Sequence, residues 1–252
     1  LLCLFKVQIT FGIHRNNIII GGNLWLKMGR RNIINAIDLS SLGLDKIEED
    51  EGGFRIGCMA TLHDIETHEG LNKEFQNLFK EAVRHIVGVQ FRNCATIGGS
   101  IFPKLGFSDV LTAFLACDTQ VILYKKGEVP LREFIYIPTD NDILTHLYVK
   151  KDGRKTAYES FRMTETDFPT ITCAMAKTQD GFETVLGARP KHAEVVVDEV
   201  VADAFSSEEV ADYAKRVIGK LQYGSNIRGS EQYRKQLSKV LIGRCISRLT
   251  EE

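Results

Sequence analysis

The sequence predicts an α+β fold in two units, and three observations predict it. As far as residue 140, short apolar runs and amphipathic stretches succeed one another. Beyond it, four strand-like runs follow with turn signals between them. Two stretches of helical period then close the chain. A boundary is therefore expected near Asp140–Asp142, dividing the chain into 1–140 and 141–252.

The first unit begins with Asn17–Ile20, an apolar run closed by Gly21-Gly22, which reads as a buried strand entering a tight turn. Leu24–Met28 is compatible with a helix start. Ile33–Leu39 and Phe54–Cys58 read as the second and third strands, and the acidic run Glu48–Glu51 as a solvated loop. Thr61–Glu66 reads as a short capped helix. From Leu71 to Val87, Leu71, Phe75, Leu78, Phe79, Ala82, Val83 and Ile86 fall at helical spacing. This predicts one continuous helix capped by Gly88. A second glycine-rich stretch, Cys94–Ser100, is followed by a buried helix over Ser108–Cys117 and a strand over Gln120–Tyr124.

In the second unit, Ile143–Val149, Thr156–Arg162, Thr170–Lys177 and Phe182–Leu186 are the strands, and Asp152-Gly153 predicts a hairpin between the first two. Ser206–Glu209 offers a capping box for the penultimate helix. The last helix, after Gly229-Ser230, carries Tyr233, Leu237, Val240, Leu241 and Cys245 on its expected buried side.

Composition narrows the function. With 32 basic and 33 acidic side chains, the chain lacks the cationic surplus of a protein that neutralises many phosphates. At 44% hydrophobic it is not a disordered chain, and no window approaches a membrane span. The six cysteines, at 3, 58, 94, 117, 173 and 245, have no metal-ligand spacing, and scattered thiols suggest a reducing cytoplasm. Leu1–Phe5 has no basic flank or cleavage site, so no signal peptide is read there, and the chain does not start with Met. No nucleophile elbow, zinc-protease motif, Walker loop or G-x-G-x-x-G is present. His63, His68 and His85 fall on expected helices and read as ordinary surface or half-buried residues.

The two Gly-Gly turns remain. Glycine admits a ligand close to the backbone and tolerates positive φ, and successive N–H groups in such a turn form an anion-binding nest. Two turns, each leading into a helix, can grip a pyrophosphate without Lys or Arg. Asp109, at a helix start soon after the second, offers an acceptor for ribose hydroxyls.

Ile19–Leu24, Arg92–Ser100 (R-N-C-A-T-I-G-G-S) and Ser108-Asp109 together resemble the FAD-binding subunit of the molybdenum hydroxylases, the xanthine dehydrogenase and carbon monoxide dehydrogenase type enzymes. The likeness continues through Tyr158–Arg162, Asp167-Phe168, Gly187–Pro190 and Arg228–Arg234. It implies a two-lobed FAD-binding domain of the vanillyl-alcohol-oxidase (PCMH) type, with lobes of about 1–58 and 59–140, then a smaller α+β C-terminal domain. It implies an FAD cradle made of Ile18, Ile19, Ile20, Gly21, Gly22, Asn23, Leu24 and Trp25 with Ala95, Thr96, Gly98, Gly99 and Ser100. It further implies Ile101 next to the flavin, Asp109 on the adenosine side and Leu144 packed near the cofactor. No catalytic or metal-ligating residue is implied. Leu1–Arg15 does not resemble the family's usual first helix, which implies an incomplete first lobe. The Lys that some members carry around Glu159–Ser160 is missing, which removes one expected cation near the ring.

The function implied is electron transfer. An FAD subunit takes electrons from iron–sulfur centres on a [2Fe-2S] small subunit, the substrate being oxidised at a molybdopterin-binding large subunit. NAD or another acceptor follows. The alternatives are a free-standing flavin oxidoreductase of the same fold and a scaffold subunit that has lost FAD. Phe102–Phe107 is the expected partner-contact loop.

Overall fold

The computed structural model describes residues 16–24, 26–30, 32–138, 140–198 and 205–250. Three sheets organise these residues. A small parallel pair joins β1 (Asn17–Ile20) to β2 (Asn35–Asp38), with Ile18 opposite Ala36. A five-stranded antiparallel sheet contains β3 (Ile47–Glu49), β4 (Gly53–Gly57), β5 (Thr119–Leu123), β6 (Gly127–Pro130) and β7 (Leu144–Lys150), in the order β3-β4-β7-β5-β6. A four-stranded antiparallel sheet contains β8 (Lys155–Arg162), β9 (Pro169–Thr178), β10 (Gly181–Gly187) and β11 (Glu194–Asp198), in the order β11-β10-β9-β8.

β7 corrects the expected boundary. It pairs with β4 and β5, so it lies at the centre of the first large sheet, and Asp152-Gly153 connects two sheets rather than two hairpin strands. Sheet membership changes over Lys151–Arg154, not at Asp140–Asp142. The alternation of β7 suits either sheet. Its partners come from residues 53–57 and 119–123, and such long-range pairing leaves no local mark. Arg154 secures the crossing. Its guanidinium binds Asp152, the Ala116 carbonyl at 2.6 Å and Glu183 of β10 at 3.0 Å.

The four-stranded sheet is covered on both faces. Tyr158, Ala174 and Val185 join the core of the first unit, while Ile171, Cys173, Met175 and Leu186 face the helices Ser207–Gly219 and Glu231–Thr250. This explains why the first eight residues of β9 are all buried and show no alternation. In the first core, Phe54, Phe75, Phe79 and Phe114 form a continuous aromatic line, with ring centroids 6.2, 5.5 and 4.6 Å apart.

Several local expectations hold. Thr61 and Asp64 form a capping box at Leu62–Thr67, Ser206 and Glu209 form another at Ser207–Gly219, and Ser108 caps Asp109–Leu115. Others give way to tertiary contacts. The helix expected over Leu71–Val87 is broken into Glu69–Glu74 and Leu78–Val83 by Gln76 and Asn77, with φ of 44° and 62°. The Gln76 side-chain oxygen accepts the N–H of Thr156 at 2.7 Å, so β8 holds the break open. Its buried face, Leu71, Phe75, Leu78, Phe79, Ala82 and Val83, is as expected. Gly88 ends no helix. It opens the short helix Val89–Arg92. Glu48 and Glu49, from the run Glu48–Glu51 read as a loop, belong to the charged edge strand Ile47–Glu49, and β11 adds a strand that no sequence signal marked.

The last helix is turned from its expected face. Arg234, Ser238, Leu241, Ile242, Cys245, Ile246 and Leu249 are buried, while Tyr233 and Val240 are 41% and 50% exposed. The buried Arg234 explains the rotation. Its guanidinium binds the carbonyls of Thr170, near the start of β9, and Ala188, just past β10, and the Asn226 side chain.

Candidate functional site

The two Gly-Gly turns meet in space. A Cβ on Gly22 would lie 1.6 Å from the Cys94 carbonyl oxygen, and one on Gly21 would lie 2.7 Å from Thr96 Oγ1. Neither glycine has positive φ, whereas Asn23 does, at 59°. Close approach between the two turns is therefore what excludes a side chain at 21 and 22. The left-handed step falls on Asn, which tolerates it.

Along this junction run three cavities that share walls. The first, about 470 Å³, lies between β1, the Thr96–Gly99 segment and the entry to β7 at Ile143-Leu144. The middle one, about 500 Å³, is walled by Gly21–Leu24 on one side and Ala95–Ser100 on the other. The third, about 310 Å³, opens between the helix start at Ser108-Asp109 and the second unit at Arg162 and Thr166–Pro169. Gly99 lines all three. The result is one elongated groove bent around the glycine helix Ile97–Ile101.

The expected cradle residues are distributed along this groove. Ile18, Ile19, Ile20, Gly21, Thr96, Gly98, Gly99 and Leu144 line the first cavity; Gly22, Asn23, Leu24, Ala95 and Ser100 line the middle one; Asp109 lines the third. Ile101 lines none. It is fully buried in the first core. In a one-turn helix whose inner side packs on the core, the residue after Ser100 points inward. Trp25 lies outside the described residues, as does Leu1–Arg15.

The donors divide unequally between the turns. The N–H groups of Ile97 and Gly98 bond the carbonyls of Ala60 and Cys58, and that of Gly99 bonds Thr96 Oγ1 at 3.2 Å. The second turn is thus already anchored and is no free anion nest. A Cβ on Gly98 would meet Cys58, at 2.9 Å from its carbonyl oxygen, so Gly98 serves packing. A Cβ on Gly99 would meet only Thr96 Oγ1, at 3.1 Å. Among the described residues, nothing accepts from the N–H of Gly22 or Asn23, and the buried Asn23 Oδ1 has no partner. The free polar capacity belongs to the first turn.

Arg92, which opens the R-N-C-A-T-I-G-G-S stretch, is a structural clamp. It binds Glu66 twice, at 2.7 and 3.1 Å, and the carbonyls of Arg84 and Ile86. Cys58, on the wall of the first cavity, is an inert thiol, since burial pushes it up to about 12. Phe102 leans on Phe134 and Phe107 on Phe168, at 6.0 and 4.5 Å, so both rings of the expected partner loop turn back onto this chain.

The third cavity gathers residues from stretches that the sequence had singled out, and gives them partners that it did not reveal. Asp109 is 5% exposed, and its Oδ1 accepts from the Tyr158 hydroxyl at 2.5 Å and from Arg162 Nη2 at 2.7 Å. Burial pushes its carboxyl up to about 6, against the opposing pull of Arg162 and Tyr158. It is therefore held by the protein, where a free ribose acceptor was expected. Arg162 keeps two nitrogens, Nε and Nη1, buried without a partner. Glu159 turns to the other side of β8 and pairs with Arg248 at 2.6 Å. Asp167 pairs with Arg228 at 3.1 Å, and that contact holds its carboxyl below the usual range. Strand alternation on β8, once its start is known, is the signal that puts Tyr158 and Arg162 on one face.

A groove built on two apposed glycine turns, with an unmet acceptor and unmet donors along its length, suits an extended dinucleotide and defines a two-lobed flavin-nucleotide fold. The profile of the family described as the FAD binding domain in molybdopterin dehydrogenase matches residues 12–149, more than half of the chain, and the chain belongs to that family. The glyceraldehyde dehydrogenase medium chain of Sulfolobus acidocaldarius is 26% identical over 242 residues, covering 88% of this chain and 86% of its own. In fold the chain is similar to a subunit of the carbon monoxide dehydrogenase of Hydrogenophaga pseudoflava, with a TM-score of 0.86 at 20% identity over 97% of this chain and 93% of that one. It is similar also to a chain of quinoline 2-oxidoreductase from Pseudomonas putida 86, with a TM-score of 0.84 at 18% identity over 98% and 94%. The chain is an FAD-binding subunit of the molybdenum hydroxylase type. No helix among the described residues is long and apolar enough to cross a membrane.

Proposed function

We propose that this chain carries electrons between an iron–sulfur partner and a soluble acceptor such as NAD, in a cytoplasmic complex whose molybdopterin-binding large subunit oxidises the substrate. The observation that carries the reading is the continuous groove of three cavities, with its unmatched polar atoms at Asn23 and Arg162. FAD supplies one- and two-electron chemistry when bound, and the protein supplies position and electrostatics.

In this reading the diphosphate lies in the middle cavity, where the N–H groups of Gly22 and Asn23 donate to it, and Asn23 Oδ1, an acceptor, is left for a hydroxyl of the dinucleotide. The adenosine end lies in the first cavity against Ile18, Leu144 and the wall of Cys58. The ring lies in the third cavity, the chamber where both units contribute charged and aromatic groups: Asp109, Arg162, Phe107 and Phe168. Asp109 then serves the ring end, reversing the placement implied by resemblance. The glyceraldehyde dehydrogenase relative is named as a medium chain, one part of a larger enzyme, which supports a partner-dependent role.

The test is reconstitution. The full chain is saturated with FAD, stripped of excess and assayed for flavin-to-protein ratio and for reduction by NADH or by a reduced iron–sulfur protein. A ratio near one, with no oxidation of organic substrates by the isolated chain, is expected. A colourless protein, or substrate turnover by the chain alone, overturns the proposal.

A further inference from the structure

We infer that Arg162, held by Asp109 and Tyr158, is the ring-facing cation of this groove and sets the preference of the site for reduced over oxidised flavin. The inference rests on the proposed seating of the ring in the third cavity.

Arg162 ends β8 next to a register shift, and its side chain is 5% exposed. A guanidinium presents five N–H donors in a rigid fork. Nη2 is engaged by Asp109, whose own orientation is fixed by the Tyr158 hydroxyl and by its place in the first turn of a helix. Nε and Nη1 have no acceptor although both are buried. An unmatched buried donor is costly, and more so when charged, so such an arrangement is retained where an incoming group completes it. Arg162 lines the 310 Å³ cavity, which Phe107 and Phe168 flank with aromatic walls.

An isoalloxazine edge carries two pairs of adjacent acceptors, each a ring nitrogen beside a carbonyl oxygen, on either side of one N–H donor, and one such pair matches the idle donors of a planar cation. Two-electron reduction increases negative charge along that edge. A fixed, buried cation stabilises charge that develops next to it far more than solvent would. The titratable groups around the fork are Asp109 at the start of the helix Asp109–Leu115, Asp167 on the loop after β8, which is itself paired with Arg228, and His85, whose imidazole is held below its usual range by burial and by the neighbouring Arg84 and Arg162. Asp109 is the direct opponent of the cation, and because burial raises its carboxyl to about 6 it opposes the cation least in acid.

The experiment compares wild type, Arg162→Met and Arg162→Lys as full chains. The readouts are FAD stoichiometry, the dissociation constant for oxidised FAD and the flavin midpoint potential. For Arg162→Met, near-stoichiometric FAD is expected, with the ratio of reduced to oxidised affinity at least tenfold lower, a drop of about 30 mV for a two-electron couple. Arg162→Lys is expected to hold the potential within threefold of wild type in that ratio while binding oxidised FAD at least threefold more weakly, because it keeps the charge and loses the fork. That variant decides the matter if the Met variant does not fold. A Met variant that holds FAD at the wild-type potential overturns the inference. So does a Lys variant that matches wild type in both constants. A wild-type chain that binds no FAD at saturation instead overturns the proposed function itself.

Discussion

Adding one methyl group at Gly98 and at Gly99 should have opposite consequences, although the two residues are neighbours in one short helix. At Gly98 the new Cβ would sit 2.9 Å from the Cys58 carbonyl oxygen and 3.0 Å from Cys58 Cβ, so the helix must retreat by about half an ångström from the end of β4. Overpacking of this kind costs about 1–3 kcal/mol. Weakening the 2.8 Å bond from Gly98 N–H to that carbonyl removes about 1 kcal/mol more, and the better helix propensity of Ala returns about 1. The net loss is about 1–3 kcal/mol, or roughly 2–12 °C in Tm at this chain length. At Gly99 the Cβ would meet only the Thr96 hydroxyl, at 3.1 Å, which can rotate away. Losing that cap costs about 1 kcal/mol, offset by about 1 from helix propensity, so Tm should stay within 2–3 °C. The same methyl group narrows the groove at the one residue common to all three cavities. If overpacking against FAD costs about 1–3 kcal/mol, the dissociation constant rises about 5- to 150-fold. Thermal unfolding without FAD and a fluorescence titration with FAD read the two effects separately. Gly98→Ala with unchanged Tm and lost FAD, beside Gly99→Ala with normal affinity, would refute the assignment of which glycine faces the ligand.

Further consequences can be checked in the same preparations. Asp109 binds its proton more tightly folded, at about 6, than unfolded, so its contribution to stability is full below about pH 4 and is lost as pH rises through 6; urea unfolding should show that slope in wild type and its disappearance in Asp109→Asn. Arg154→Met strips the Ala116 carbonyl of its donor and takes one of two arginines from Glu183, which keeps Arg132, and should lower stability by about 1–3 kcal/mol, read as the urea midpoint. Alkylation of the native protein, followed by mass spectrometry, should modify the exposed Cys94 and spare Cys58, Cys117, Cys173 and Cys245, which are buried.

The sequence by itself determined the features that depend on neighbours along the chain. Capping at Thr61, Ser108 and Ser206 was legible because a hydroxyl bonds an N–H three residues on. The apolar faces around Phe75–Val83 and Ser108–Cys117 were legible from period, and the paired glycine turns marked the groove. Tertiary structure decided everything that rests on a partner from elsewhere in the chain. It moved β7 to the first sheet, broke a regular helix at Gln76 through the Thr156 N–H, and turned the last helix so that Arg234 could reach two carbonyls. It also separated glycines that look equivalent in a motif, Gly98 by the position of Cys58 and Gly99 by the open groove. Arg162 shows the limit most clearly. In the sequence it is the last letter of the family-like stretch Tyr158–Arg162, with no role of its own. Only when β8 lies against the helix that begins at Asp109 does its charge become buried, half-matched and turned to the cavity, because burial and pairing are properties of the space around a residue.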